Sequence, residues 1–383
     1  MAERDRGRYD AIVVGVGGMG AAACYHLAQR GLDVLGLERY DIPHAMGSSH
    51  GFTRIIRLAY YEHPSYVPLL RRAFALWGEL EAASGQKLLH VTGTVDAAAP
   101  EDPVFAGSLA SCREHGLVHE DLSSAELSRR YPGYALPPNY RALFQPDGGF
   151  LVPEACIVAH AQLAAEGGAT IRARERVLGW EAGPGGVRVE TDRGTYEGKQ
   201  LVLAAGAWIG GLAAPLARLA EPERQVLGWF QPRRPGLFRP ETFPVFNLSV
   251  PEGRYYGFPV FGVPGFKIGR YHHLGETVDP DAMEREPTAA DEALLREATE
   301  RYFPAAAGET VGLRVCLFTN TPDEHFVIDR HPEERRVLLV SPCSGHGFKF
   351  CSVVGEIVAD LVQHDRTGHD IGLLRLGRFA GVE

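Results

Sequence analysis

Ala11-Ile12-Val13-Val14-Gly15-Val16-Gly17-Gly18-Met19-Gly20 is a β-branched apolar run that breaks into a G-x-G-x-x-G turn. A run of this kind suits a strand buried on both faces of a parallel sheet. Gly15 allows the tight turn, Gly17 lets backbone approach a pyrophosphate, and Gly20 lets the next helix pack on the strand. Ala21 to Ala28 continues as that helix, with its N-terminal amides available to phosphate, and Gly31 ends it. Asp33-Val34-Leu35-Gly36-Leu37-Glu38 reads as a second strand whose last residue is an acid, a little over twenty residues after Gly15. At that distance Glu38 suits a ribose hydroxyl. Strand, turn, helix and acid together predict adenine dinucleotide binding, against the alternative of a glycine-rich turn that binds nothing. The motif does not separate NAD from FAD.

The chain has 383 residues, which predicts two or three units at roughly 150 residues per domain. Its 48 acidic and 39 basic residues leave a net charge of −9, which gives no reason to expect nucleic acid or an anionic membrane as partner. No apolar run approaches the ~20 residues that span a bilayer. Met1 to Arg6 lacks the hydrophobic segment of a signal peptide, and Gly381-Val382-Glu383 is no targeting tag, so a cytoplasmic protein is expected. Six cysteines, scattered without C-x-x-C or zinc spacing, read as free thiols in a reducing compartment.

Beyond Glu38, a polar loop leads into Thr53-Arg54-Ile55-Ile56-Arg57, where a helix would put both arginines on one face. The alternative is an amphipathic segment with solvated arginines. Tyr66 to Ala83 has helical apolar spacing and reads as a packing helix. Val177 to Glu181, Val187 to Thr191 and Gly194 to Glu197 read as an antiparallel meander. The apolar run Gln200 to Trp208, a strand ending in small residues and turning into a helix, then returns the chain to the nucleotide sheet. Glu221 to Phe318 is strand-rich, interrupted by a helix at Ala289 to Tyr302. Strand Val337 to Ser341, the turn Ser344-Gly345-His346-Gly347 and a helix from Ser352 suggest a second return to the cofactor. The fold class expected is α/β, a Rossmann-like dinucleotide-binding domain (1–86, 150–220 and 320–383) interleaved with a mixed-sheet α+β substrate domain (87–149 and 221–319). Asp323-Glu324-His325 has no second ligand pair at metal spacing, so no metal is expected.

Several stretches, in one order along nearly the entire chain, carry a resemblance. They are the Gly15 turn, Ser49-His50-Gly51-Phe52-Thr53-Arg54-Ile55-Ile56-Arg57, Tyr256-Gly257-Phe258-Pro259, Lys267, Cys316, Asp323-Glu324-His325-Phe326 and Gly345-His346-Gly347-Phe348-Lys349. With them the chain resembles the monomeric sarcosine oxidase family of flavoenzymes, which includes N-methyltryptophan oxidase and pipecolate oxidase.

The resemblance implies FAD in place of NAD, with Gly345 and Gly347 in a second cofactor-binding turn. It implies oxidation of the C–N bond of a secondary amino acid by O2, and a monomeric enzyme. The leading substrate is sarcosine or another N-methyl amino acid, giving the amino acid, formaldehyde and hydrogen peroxide; the alternative is a cyclic imino acid such as pipecolate or proline. An NAD-dependent dehydrogenase and a non-catalytic flavin-binding module are the readings from other classes. By the same resemblance, Arg57 and Lys349 clamp the substrate carboxylate, and Arg54 and His50 bring positive charge to the flavin ring. Cys316 attaches FAD covalently, Lys267 promotes oxygen reduction, and Tyr256 and His272 belong to the active site. Arg270 looks inserted, so His273 competes with His272, and Phe318 stands where the family often has tyrosine.

Overall fold

Strand Tyr9–Val14 lies between Val34–Leu37 and Thr195–Leu203, parallel to both, and its burial on both faces explains its unbroken apolar run. The computed structural model describes residues 8–379; the terminal stretches read for targeting signals, Met1 to Arg6 and Gly381 to Glu383, lie outside the described residues. Thr170–Arg172 and Val337–Ser341 extend the parallel part of this eight-stranded sheet. The meander strand expected at 194–197 and the strand expected to open the run 200–208 are one strand, Thr195–Leu203. Its first half pairs antiparallel with Gly186–Thr191, and its second half runs parallel to Tyr9–Val14 and Val337–Ser341. Burial along it changes accordingly, from mixed to continuous.

Close approach explains two glycines of the opening turn. Gly15 has φ +88°, and a Cβ there would lie 2.5 Å from the Ala204 carbonyl oxygen. At Gly20, the third glycine, a Cβ would fall 1.7 Å from the Gly15 carbonyl oxygen. Helix Gly18–Gln29 packs against Pro153–Glu166 and Cys351–His364, burying Ala22, Ala23, Leu27, Ile357 and Val358 in one core.

A second eight-stranded sheet is built from Thr94–Ala98, Glu120–Ser123, Arg141–Gln145 and the five strands between 221 and 320. One face carries Phe230, Phe246 and Phe266 into an aromatic core with Phe303 and Tyr302 at the end of helix Ala289–Tyr302. Alternation along the strands sends Tyr256 and Phe258, Lys267, and Cys316 and Phe318 to the opposite face. That face looks toward the nucleotide turn. A three-stranded sheet, Arg54–Ile56, Leu89–Val91 and Gly149–Leu151, stands beside it. Among the described residues, no helix is long and apolar enough to cross a membrane.

Candidate active site

A cavity of about 400 Å³ opens between the two large sheets, running from Gly15 and Gly17 past Glu38, Arg54 and Tyr256 to Cys316, Gly345, Gly347 and Lys349. A Cβ on Gly17 would meet nothing within 4 Å, so the turn presents bare backbone to this space. Glu38 stands at the end of its strand, its carboxylate accepting the Val16 and Tyr40 amide N–H groups at 2.9 Å. In the second turn, Gly345 has φ +74°, and a Cβ there would lie 2.5 Å from the Phe318 ring. Ser48 Oγ on the cavity wall and His50 Nε2 are buried without a hydrogen-bond partner. Bare glycine turns, a strand-end acid and orphaned polar atoms fit a dinucleotide with a polar ring system. Gly20 serves packing and does not line the cavity.

The two arginines expected on one face separate, and of the expected clamp pair, Arg57 and Lys349, only Lys349 lines the cavity. Arg54–Ile56 is a strand, not a helix, so positions three apart point to opposite sides. Arg54 faces the cavity, its Nη2 donating to Ser48 O at 2.7 Å and lying 3.5 Å from Cys316 Sγ. Arg57 is 1% exposed, does not line the cavity, and is already engaged with Glu62 at 2.7 Å and with the Ala59 carbonyl. Burial opposes ionisation of Glu62, but Arg57, foremost among the neighbouring cations, takes its pKa down to about 2. Lys349 is the cation on the cavity wall, donating to His346 O at 2.8 Å and lying 5.2 Å from the Tyr60 ring centre. Burial, then Arg57, lowers the Lys349 pKa to about 7.

His346 also lines the cavity. Its Nε2 is 2.9 Å from the Glu324 carbonyl, which can only accept, so the ring donates there and Nδ1 accepts a hydrogen bond from the Tyr60 hydroxyl. Lys267 is buried behind the wall, its Nζ donating to Gly51 O at 2.7 Å and to Thr53 O and Oγ1 at 2.9 Å. Burial and Arg54 push its pKa well below the ordinary lysine value, whereas the three acceptors match the three N–H groups of an ammonium. The expected charge on His50 is corrected: burial and then Arg54 lower its pKa to about 3, so it is neutral. Positive charge on this side belongs to Arg54 and Lys267.

His272 is also corrected. It adopts φ 54°, is 44% exposed, and pairs with Glu223 at 2.8 Å and Glu324 at 3.0 Å, outside the cavity. His273 points to the far side, 2.8 Å from Asp291. Tyr271 holds the cavity position, packed beside Tyr256 and Phe318. Counting by two from Lys267 through Gly269 gives Tyr271, a signal that the search for a histidine passed over. Hydrogen bonds to Glu223 and Glu324 raise the His272 pKa to about 9. A raised folded pKa adds stability that is complete below the unfolded value near 6.5 and is lost as pH rises through 9. His272→Ala should therefore flatten the Tm profile between about pH 6.5 and 9. A variant whose Tm falls with pH as steeply as the parent's would contradict this pairing.

The fold and site define a dinucleotide-dependent enzyme with a cation-lined reaction chamber. The family model for FAD dependent oxidoreductases matches residues 10–361, and the chain belongs to this family of flavin-dependent oxidoreductases. It is 41% identical over 377 residues to a monomeric sarcosine oxidase of Bacillus sp. (strain B-0618), covering 97% of this chain and 96% of that one. Identity to an N-methyl-L-tryptophan oxidase of Yersinia pestis (strain Pestoides F) is 36% over 376 residues, 97% of this chain and 99% of that one. Among solved structures, the open form of NikD, an unusual amino acid oxidase essential for nikkomycin biosynthesis, superposes with TM-score 0.83 at 27% identity, covering 96% and 97% of the two chains.

Proposed function

We propose that the protein is an FAD-dependent oxidase of N-methyl amino acids, with sarcosine the simplest substrate and O2 the electron acceptor. One observation carries the reading: a buried ammonium, Lys349, faces the same cavity as the dinucleotide turn, among aromatic walls. Sarcosine and N-methyl-L-tryptophan oxidases among its relatives support the substrate class. When bound, FAD supplies hydride acceptance from the carbon beside the amine nitrogen and passes the electrons to O2.

The chain's own residues bind and orient. Lys349 holds the substrate carboxylate through a charge-assisted hydrogen bond. Arg57 lies behind it, and its field adds to the positive potential at Lys349. Tyr256, Tyr271 and Phe318 form an apolar wall that excludes water from the reacting carbon. Arg54 brings a fixed positive charge to the cavity, where negative charge on a reduced ring would gather. Lys267 is the cation for oxygen reduction. The enzyme acts as a monomer, as its sarcosine oxidase relatives are named, in the cytoplasm, a compartment that suits six free cysteines. Sarcosine should yield glycine, formaldehyde and hydrogen peroxide in equal amounts; turnover without oxygen uptake would contradict the oxidase reading.

Cys316 is the proposed attachment point for FAD. It lines the cavity, is 4% exposed, and has the Arg54 guanidinium 3.5 Å from its sulfur. Acid precipitation of Cys316→Ser should release the flavin into the supernatant, while the parent keeps its flavin on the polypeptide. Flavin still bound to the precipitated variant would remove Cys316 from this role.

A further inference from the structure

Arg254 stands on the strand Gly253–Phe258, on the same face as Tyr256 and Phe258, which line the cavity. Its guanidinium carbon lies 3.8 Å above the centre of the Tyr271 ring, another wall of the cavity, and 5.5 Å from that of Tyr61. The side chain is 24% exposed and stands against the Tyr271 ring, next to the cavity wall and not among the residues that line it. Stacking fixes its position without using an N–H group.

Its donors are free where those of the two buried arginines, Arg57 and Arg224, are not. Arg224 binds both oxygens of Asp291 at 2.9 Å and two backbone carbonyls besides, and Arg57 is held by Glu62 and Ala59. Among the described residues, Arg254 donates no hydrogen bond, and its Nε is buried without a partner. Its nearest carboxylate oxygen, Glu324 Oε2, is 3.7 Å away, beyond hydrogen-bond reach, and the other oxygen of that group accepts from His272 Nε2 at 3.0 Å. An arginine placed for structure saturates its fork. One left open beside a substrate cavity suits an incoming anion.

We propose that Arg254 anchors a second carboxylate, so that the site takes N-methyl amino acids with an acidic side chain in preference to sarcosine; this rests on reading the site as an N-methyl amino acid oxidase. Lys349 holds the carboxylate common to all these substrates, and Arg254, beside the Tyr271 wall, meets the one on a longer side chain that reaches past that ring. Sarcosine leaves that guanidinium unused.

The test is steady-state and anaerobic kinetics of the FAD-loaded enzyme with sarcosine, N-methyl-L-aspartate and N-methyl-L-glutamate. One of the two diacids should exceed sarcosine in kcat/KM by about tenfold or more, the scale of one charge-assisted contact. Arg254→Met should lower that ratio by about tenfold or more, chiefly through KM of the diacid, and Arg254→Lys should recover part of it. Flavin absorbance should also report tighter binding of glutarate than of acetate to the parent, with the difference lost in Arg254→Met. Bleaching by sarcosine without preference for either diacid, or a ratio unchanged by Arg254→Met, overturns the role of Arg254 and leaves the oxidase reading standing. If none of the three amines bleaches the flavin but N-methyl-L-tryptophan does, the role of Arg254 falls alone; if none of the four does, both readings fall.

Discussion

Replacing Lys349 with methionine should lower kcat/KM for an N-methyl amino acid by roughly 30- to 1,000-fold. The variant leaves a substrate carboxylate in a buried chamber without its charged partner, a loss of about 2–4 kcal/mol. Arg57 cannot substitute without giving up Glu62 and the Ala59 carbonyl. The same lysine should shape the pH profile. With its pKa near 7 in the free protein, only the form below that pH carries the cation. The parent's kcat/KM should therefore show a falling limb near pH 7 on the basic side. A bound carboxylate favours the ammonium, so the limb should be absent from kcat. Lys349→Met should lack the limb altogether, and a variant that keeps it would assign the titration elsewhere.

Lys267→Met should slow reoxidation of the reduced flavin by about a hundredfold while anaerobic reduction by amine changes by less than about threefold. Fixed positive charge stabilises the charge that develops as oxygen takes its first electron, and an oriented cation in a water-poor site has its greatest effect there. Lys267 is well fixed, with three acceptors between 2.7 and 2.9 Å and the Phe258 ring centre 4.4 Å from Nζ. It does not line the cavity, so it has no direct part in holding the amine. Rapid mixing resolves the two half-reactions; equal slowing of both would remove the oxygen role.

What could be read from residues alone was set by how local its cause is. The opening turn was legible because its glycines answer to backbone geometry, positive φ at Gly15 and a 1.7 Å clash at Gly20, which no other residue meets. Cys316 and Lys349 could be located only through the resemblance to the sarcosine oxidase family, and both line the cavity. Arg54 and Arg57 misled because their spacing suits a helix, whereas pairing with Gly149–Leu151 makes Arg54–Ile56 a strand and divides their side chains. His272 misled by chemistry, since a histidine was sought, while strand alternation from Lys267 delivers Tyr271. The charge of His50 depends on burial and on Arg54 and Lys267, neighbours that only the folded chain assembles. The open fork of Arg254 leaves no local trace at all, because it depends on partners that are missing.

The most direct test of the central claim is an anaerobic titration of the FAD-loaded protein, following visible absorbance as sarcosine, N-methyl-L-tryptophan, N-methyl-L-glutamate and N-methyl-L-aspartate are added separately. At least one of these amines should bleach the flavin, and admission of oxygen should restore the colour with release of hydrogen peroxide. A yellow protein that stays oxidised with all four would contradict the assignment to N-methyl amino acids.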